Sequence, residues 1–120
     1  MDPGKTGVFF FSLPDMPAPN LSPKQRQHLK ALAHPLVPVV QLGAAGVSEA
    51  VVRQIREALQ RHELIKVKLP KLDDAEARES MADELTEASQ AASVQLLGRV
   101  LVLYSPRAKD LPGKPRIQLP

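Results

Sequence analysis

The chain reads as an α/β domain, α+β-like in having two layers, with element order αβαβαββ and one mixed four-stranded sheet. Three observations predict this. Apolar residues recur at helical spacing in three stretches that begin at Ser22, Ser48 and Asp73. Short apolar or alternating runs lie between and after them, at about 37–42, 63–69, 93–97 and 100–104. The alternation of strand and helix implies parallel neighbours joined by right-handed crossovers, and the two-residue link Gly98-Arg99 folds the last two strands into an antiparallel hairpin.

Residues 1–20 hold Pro3, Pro14, Pro17 and Pro19 around the run Phe9-Phe10-Phe11, and read as an irregular arm. It is expected either to pin itself to the domain or a neighbour through its phenylalanines, or to remain a disordered extension. The first helix opens on Ser22 as N-cap, Pro23 in the first turn and Gln25 completing a capping box. Leu29, Leu32 and Ala33 form its apolar face, with Arg26, Lys30 and His34 in a row on one flank. Pro35 and Pro38 end it and lead into strand one. The second helix starts at Ser48 and buries Val51, Val52, Ile55, Ala58 and Leu59. Strand two alternates, with Ile65, Val67 and Leu69 on one face and Leu64, Lys66 and Lys68 on the other. A D-x-x-E pattern at Asp73 and Glu76 starts the third helix. Its core row is Met81, Leu85 and Ala88, and Glu76, Glu79, Asp83, Glu84 and Glu87 face solvent. After the hairpin, residues 106–120 are a basic, Pro-rich tail.

A length of 120 residues bounds this to one domain, and 3% aromatic content makes the core aliphatic. The absence of cysteine excludes disulfides, a thiol nucleophile and Cys-based zinc sites, and fits a cytoplasmic protein. The apolar run at 8–13 is too short to span a membrane and lacks the pattern of a signal peptide. Net charge is +3, but unevenly spread. Residues 21–46 carry Lys24, Arg26 and Lys30 and no acid, whereas 71–97 carry seven acids against Lys71 and Arg78. This polarity points to a polyanion on one side of the molecule, with an ordinary uneven surface as the alternative.

The stretch Gly43-Ala44-Ala45-Gly46 joins an apolar strand to a capped helix. Its thin side chains let backbone N–H groups approach a phosphate, beside the free N–H groups of the following helix. The same glycines serve equally to make a turn. The stretch is not a P-loop, because no Gly-Lys-Ser/Thr follows. His28, His34 and His62 have no metal-ligand spacing, and the acids of the third helix lie on a solvated face. No enzyme site, metal, cofactor or small-molecule substrate is expected.

The segment from Leu21 to Lys30, then Ala33-His34, Pro38 to Gly43, His62-Glu63-Leu64-Ile65-Lys66-Val67-Lys68 and Leu101-Val102-Leu103-Tyr104 resembles the CRM domain (chloroplast RNA splicing and ribosome maturation), in particular its stand-alone bacterial YhbY-type members. The resemblance covers about residues 21–105, and the ending Ile117-Gln118-Leu119-Pro120 is also similar. It implies a fold like the C-terminal domain of translation initiation factor three, RNA binding, and association with precursors of the large ribosomal subunit. Three departures stand out: alanines fill the loop where the family often has Lys or a polar residue, Ser105 follows Tyr104 where many members have Arg, with Arg107 two residues on, and residues 1–20 have no counterpart in the resemblance.

The reading is thus an arm (1–20), an RNA-binding domain (21–105) and a basic tail (106–120). Expected RNA contacts are Lys24, Arg26 and Lys30 on the first helix, Gly43, Ala44, Ala45 and Gly46 in the loop, Lys66 and Lys68 on strand two, and Arg107 in the tail. With Tyr104 the one candidate stacking ring among Phe, Tyr and Trp outside the arm, base stacking is expected to contribute little. The alternative is a protein-interaction module that docks on ribosomal proteins.

Overall fold

The structure, a computed structural model, describes residues 20–106 and 117–120. The arm with Phe9, Phe10 and Phe11, and the tail cations including Arg107, lie outside the described residues. The elements run α1 (Pro23–Ala33), β1 (Val40–Gln41), α2 (Glu49–His62), β2 (Leu64–Lys68), α3 (Ala75–Ser89), β3 (Ala92–Leu97) and β4 (Val100–Tyr104), the expected order.

The four strands form one sheet in the order β1-β2-β4-β3. β1 pairs parallel to β2, while β4 runs antiparallel to both β2 and β3. The expectation that β2 and β3 pair as parallel neighbours is therefore corrected, because β4 inserts between them. Side-chain chemistry explains the order. β4 is apolar on both faces, with Leu101 and Leu103 on one and Val102 and Tyr104 on the other, all buried. Such a strand belongs in the centre. β3 carries Gln95 and the 67% exposed Leu97, and tolerates an edge.

That two-faced chemistry also adds a third layer to the expected two. α2 and α3 cover one face, packing Ile55, Leu59, Ala82 and Leu85 on Val40, Ile65, Val67, Leu101 and Leu103. α1 lies alone on the other, where Leu29 and Ala33 meet Leu64, Val94, Val102 and Tyr104. Leu32, expected in the α1 core, is 40% exposed instead. The tail returns to this face. Ile117 and Leu119 pack on the α1 cluster, and Gln25 Nε2 donates to the Pro120 carbonyl at 3.2 Å.

Helix ends follow the local chemistry. The capping box at Ser22 and Gln25 is reciprocal, with bonds of 3.0 and 3.1 Å. Ser48 Oγ accepts from Val51 N–H at 3.2 Å. α3 starts one residue later than expected: Asp74, not Asp73, is the N-cap, its Oδ1 accepting from Ala77 N–H at 2.8 Å. The inward row of α3 shifts accordingly to Ala82, Leu85 and Ser89, leaving Met81 and Ala88 half-buried. Buried Ser89 satisfies its hydroxyl on the Leu85 carbonyl at 2.6 Å. Its own carbonyl accepts from Arg56 Nη1 at 2.8 Å, and burial lowers the Arg56 pKa. β1 is shorter than the expected 37–42 because Pro38 has no N–H to give the ladder. Bonds from Val39 N–H to Lys66 O and from Leu42 N–H to Lys68 O extend the pairing slightly.

Glu63, expected to begin strand two, instead caps α2 at φ 65° and is 1% exposed. Its carboxylate accepts from Ile117 N–H at 2.7 Å. The β3–β4 turn is as expected: only its first residue, Gly98, has positive φ (60°), and Leu97 faces Val100 across it, as a type II′ turn requires.

Candidate nucleic-acid interface

The G-x-x-G loop leaves the end of β1, where Gln41 faces Lys68. Its two glycines do different work. Gly46 is buried, has φ +78° and donates its N–H to the Gly43 carbonyl at 3.0 Å, closing the turn. A Cβ there would lie 3.3 Å from Met81 Cε. A Cβ at Gly43 would meet nothing within 4 Å. Gly46 is thus a folding residue, and the open backbone is Gly43, Ala44 and Ala45, all exposed. Among the described residues the N–H groups of Ala44 and Ala45 make no hydrogen bond. Glu49 places a carboxylate in the first turn of α2, so the positive charge for an anion at the loop must come from neighbouring elements.

Those neighbours sit on the α1 face of the sheet. α1 covers the half that carries Leu64, Tyr104, Val94 and Val102. The other half is open and leads toward the loop. Between it and α1 runs a groove of about 470 Å³. Gln27, Lys30, His34, Lys66 and Gln95 line it together with Leu97 and Val100, and buried Val102 lies at its base. Lys68 is the next residue of β2 on the same face, about 7 Å beyond Lys66 by strand geometry. Hence Lys30, Lys66 and Lys68 share the α1 face, and Lys68 pairs with Gln41, two residues before the loop. The acids of α3 occupy the opposite face, although Met81 brings that helix against Gly46, closer to the loop than the charge pattern alone implied.

Two expected contacts are committed to the fold. The Arg26 guanidinium donates to the carbonyls of Ser93 and Val94, the second at 3.4 Å, and is partly buried. The carbonyls belong to a break in the β3–β4 register between Ser93 and Gln95, where one extra residue bulges from β3. Arg26 therefore does not stand free beside Lys30, as its flank position implied. Lys66 Nζ donates to the carbonyls of Leu36 at 2.9 Å and His34 at 3.3 Å, closing the end of α1 while keeping its charge at the groove. Lys24 is exposed and Lys30 half-exposed, with no partner among the described residues.

The hairpin contributes a cation the sequence reading passed over. Arg99 is exposed at the loop end of the sheet, its Nε donating to the Leu69 carbonyl at 3.2 Å. Gln27 and Gln95 meet at this groove only in the folded chain, which brings a helix residue and an edge-strand residue together. Among the described residues no group of three or more His, Cys, Asp or Glu side chains is placed to hold a metal ion. No described helix is long and apolar enough to cross a membrane.

Comparison with known proteins agrees with this architecture. An RNA-binding protein of Haemophilus influenzae is 45% identical over 100 residues, covering 83% of this chain and 95% of its own length. A Bacillus subtilis protein named as a probable RNA-binding protein, YqeI, is 36% identical over 100 residues, 83% of this chain and 99% of its own. The solution structure of a hypothetical Staphylococcus aureus protein, described as a candidate RNA-binding protein, superposes with a TM-score of 0.70 at 32% identity, covering 84% of this chain and all of that one. The family model of the CRS1/YhbY (CRM) domain matches residues 21–105, the span that holds the three helices and four strands of the described residues, and the chain belongs to that family.

Proposed function

We propose that this protein binds RNA without catalysing a reaction on it, and that it does so in the cytoplasm on ribosomal RNA within precursors of the large subunit. The observation that carries RNA binding is that Lys30, Lys66 and Lys68 share the α1 face, with Lys68 paired to Gln41 two residues before a loop with unoccupied N–H groups. The names of the H. influenzae and B. subtilis relatives support the polymer, and the resemblance to YhbY-type proteins supports the ribosomal precursor. In this reading the lysines neutralise phosphates. Gly43, Ala44 and Ala45 admit a phosphate against the backbone. Lys24 and Arg99 extend the footprint at its two ends, as does Arg107 from the tail. Arg26 and Gly46 support the surface by holding its scaffold. The acidic face of α3 stays out of contact.

The test is a salt titration of binding to a labelled ribosomal RNA fragment by the wild type and by Lys30→Ala with Lys68→Ala. Counterion release predicts that the double variant flattens the slope of log K against log salt by roughly 1.4, at about 0.7 per phosphate for single strands. Parallel slopes would remove the groove from the binding surface.

A second reading, docking on a ribosomal protein, is favoured by one observation. Leu36, Val37 and Val39 are 39%, 73% and 49% exposed and border an apolar groove of about 350 Å³ with Leu32 and Ile117. An apolar dock would show little salt dependence, so the same titration separates the two.

A further inference from the structure

We infer that the groove between α1 and the β3–β4 hairpin holds one unpaired nucleotide of the bound RNA and reads its base through the side-chain amides of Gln27 and Gln95. The inference rests on the RNA-binding reading above and adds base selectivity to it. The walls of the groove are chemically divided. Its sheet side is aliphatic: Leu97, 67% exposed despite being apolar, and half-buried Val100, with buried Val102 beneath them. Its rim carries the ammonium groups of Lys30 and Lys66. A surface made only for a phosphate backbone has no use for an apolar side, and one made only for a protein side chain has no use for two cations. A nucleotide needs both: an apolar plane under the base and positive charge beside its phosphate.

The glutamines supply the third requirement. Each amide offers a carbonyl acceptor and an NH₂ donor on adjacent positions, the pattern that pairs with donor and acceptor groups on a base edge. Neither amide has a partner among the described residues, and both residues line the groove. They come from opposite walls, Gln27 from α1 and Gln95 from β3, so a base lying in the groove is reached from two sides. Gln95 stands at the residue where the β3 register resumes after the bulge, facing Val102. Arg26 holds that bulge through the Ser93 and Val94 carbonyls, which fixes the strand from which Gln95 projects. At about 470 Å³ the groove lies within the usual range for small-ligand sites, roughly 300–1,000 Å³, and it is open on one side, as a base still attached to its strand requires. Bases in duplex RNA are hidden in a deep groove, whereas a bulged base is unstacked and presents its edges.

The experiment uses five labelled RNA hairpins of equal length: one with a fully paired stem, and four with a single bulged A, C, G or U. The wild-type chain is expected to bind at least one bulged hairpin about fivefold or more tightly than the paired one, the discrimination of one good amide–base pair at its lower end. Gln27→Ala with Gln95→Ala is expected to bring the four bulged hairpins within about twofold of one another. Its affinity for the paired hairpin should stay unchanged, because the lysines remain. Leu97→Ser removes apolar surface and no hydrogen-bonding group, and should weaken all four bulged complexes together. Equal binding of paired and bulged hairpins by the wild type would overturn the nucleotide site and leave RNA binding standing. A double variant that folds with the selectivity intact would overturn the role of the amides. Failure to bind any of the five would count against RNA binding itself, and the groove proposal would fall with it.

Discussion

Arg26, in the first helix, holds the main-chain carbonyl of Ser93 at the start of the edge strand. The bond crosses from α1 to β3 at the one place where β3 departs from its register with β4. A bulge leaves backbone groups without ladder partners, and a guanidinium, with its forked donors, can serve two neighbouring carbonyls at once.

The first prediction separates Arg26 from Lys30, which stands one turn later. Arg26→Ala should destabilise the fold by about 1.5–3 kcal/mol, the range for hydrogen bonds to charged groups. Lys30→Ala should change stability by no more than about 0.5 kcal/mol, since it touches no feature of the fold. Denaturant unfolding of both variants decides this. Equal and small effects would mean that the helix-to-bulge contact contributes nothing.

The second concerns the loop glycines. Gly46→Ala forces a Cβ into a left-handed backbone and to within 3.3 Å of Met81 Cε. The backbone term alone costs about 1–2 kcal/mol. Ala45→Glu adds its side chain at an exposed position and should leave the melting temperature near that of the wild type while weakening RNA binding through charge repulsion. A stable Gly46→Ala protein, or an Ala45→Glu protein with full RNA affinity, would contradict the division of labour between the two halves of the loop.

That division marks the boundary of what the sequence alone discloses. Helix starts are written locally: Ser22 and Ser48 cap the helices they were expected to cap, because a hydroxyl and an N–H three residues apart need no distant partner. The Gly98-Arg99 hairpin is local in the same way. Strand order is not. The position of β4 between β2 and β3 depends on burying both of its faces, which only the assembled layers decide. The candidate site divides likewise. Lys30, Lys66 and Lys68 are visible as charges in a chain, but the tie of Arg26 to Ser93, the closure of α1 by Lys66 and the meeting of Gln27 with Gln95 join residues far apart in sequence. Exposed Leu32 escaped the helical pattern because the core beneath it ends at Leu29 and Ala33.

The third prediction tests the return of the tail. Glu63 is a buried carboxylate at positive φ whose oxygen receives the Ile117 N–H, and Ile117 and Leu119 close the α1 cluster. Removing residues 117–120 should cost about 1.5–3 kcal/mol, because two half-buried aliphatic side chains together lose about as much burial as one full side chain. Glu63→Ala should destabilise the full chain more than the truncated one, because the two changes remove one shared bond. A double-mutant cycle by denaturant unfolding measures that coupling, expected at about 0.5–3 kcal/mol. Additive effects would show that the tail docks without Glu63.

The last prediction uses the single tyrosine of the chain as its own reporter. Tyr104 is 3% exposed at the end of β4, and its phenol is raised above the ordinary 10.0, first by burial and then by the nearby negative charge of Glu63. Both causes disfavour the phenolate. The sign follows directly. An unfolded chain releases the tyrosine proton near the ordinary value, while the folded chain retains it. Stability from this source is therefore complete below that value and is lost as pH rises through the folded one. The tyrosinate absorbance of the native protein should titrate with a midpoint above 10.0, and urea should pull the midpoint back down. Tyr104→Phe abolishes the tyrosine's share of the alkaline loss, so its stability should fall less steeply than the wild type as pH rises past 10.0. Glu63→Gln should lower the native midpoint only in part, because burial is the larger cause and the amide leaves it in place. A native midpoint at the ordinary value would mean that water reaches the phenol and that the tail does not seal the α1 face.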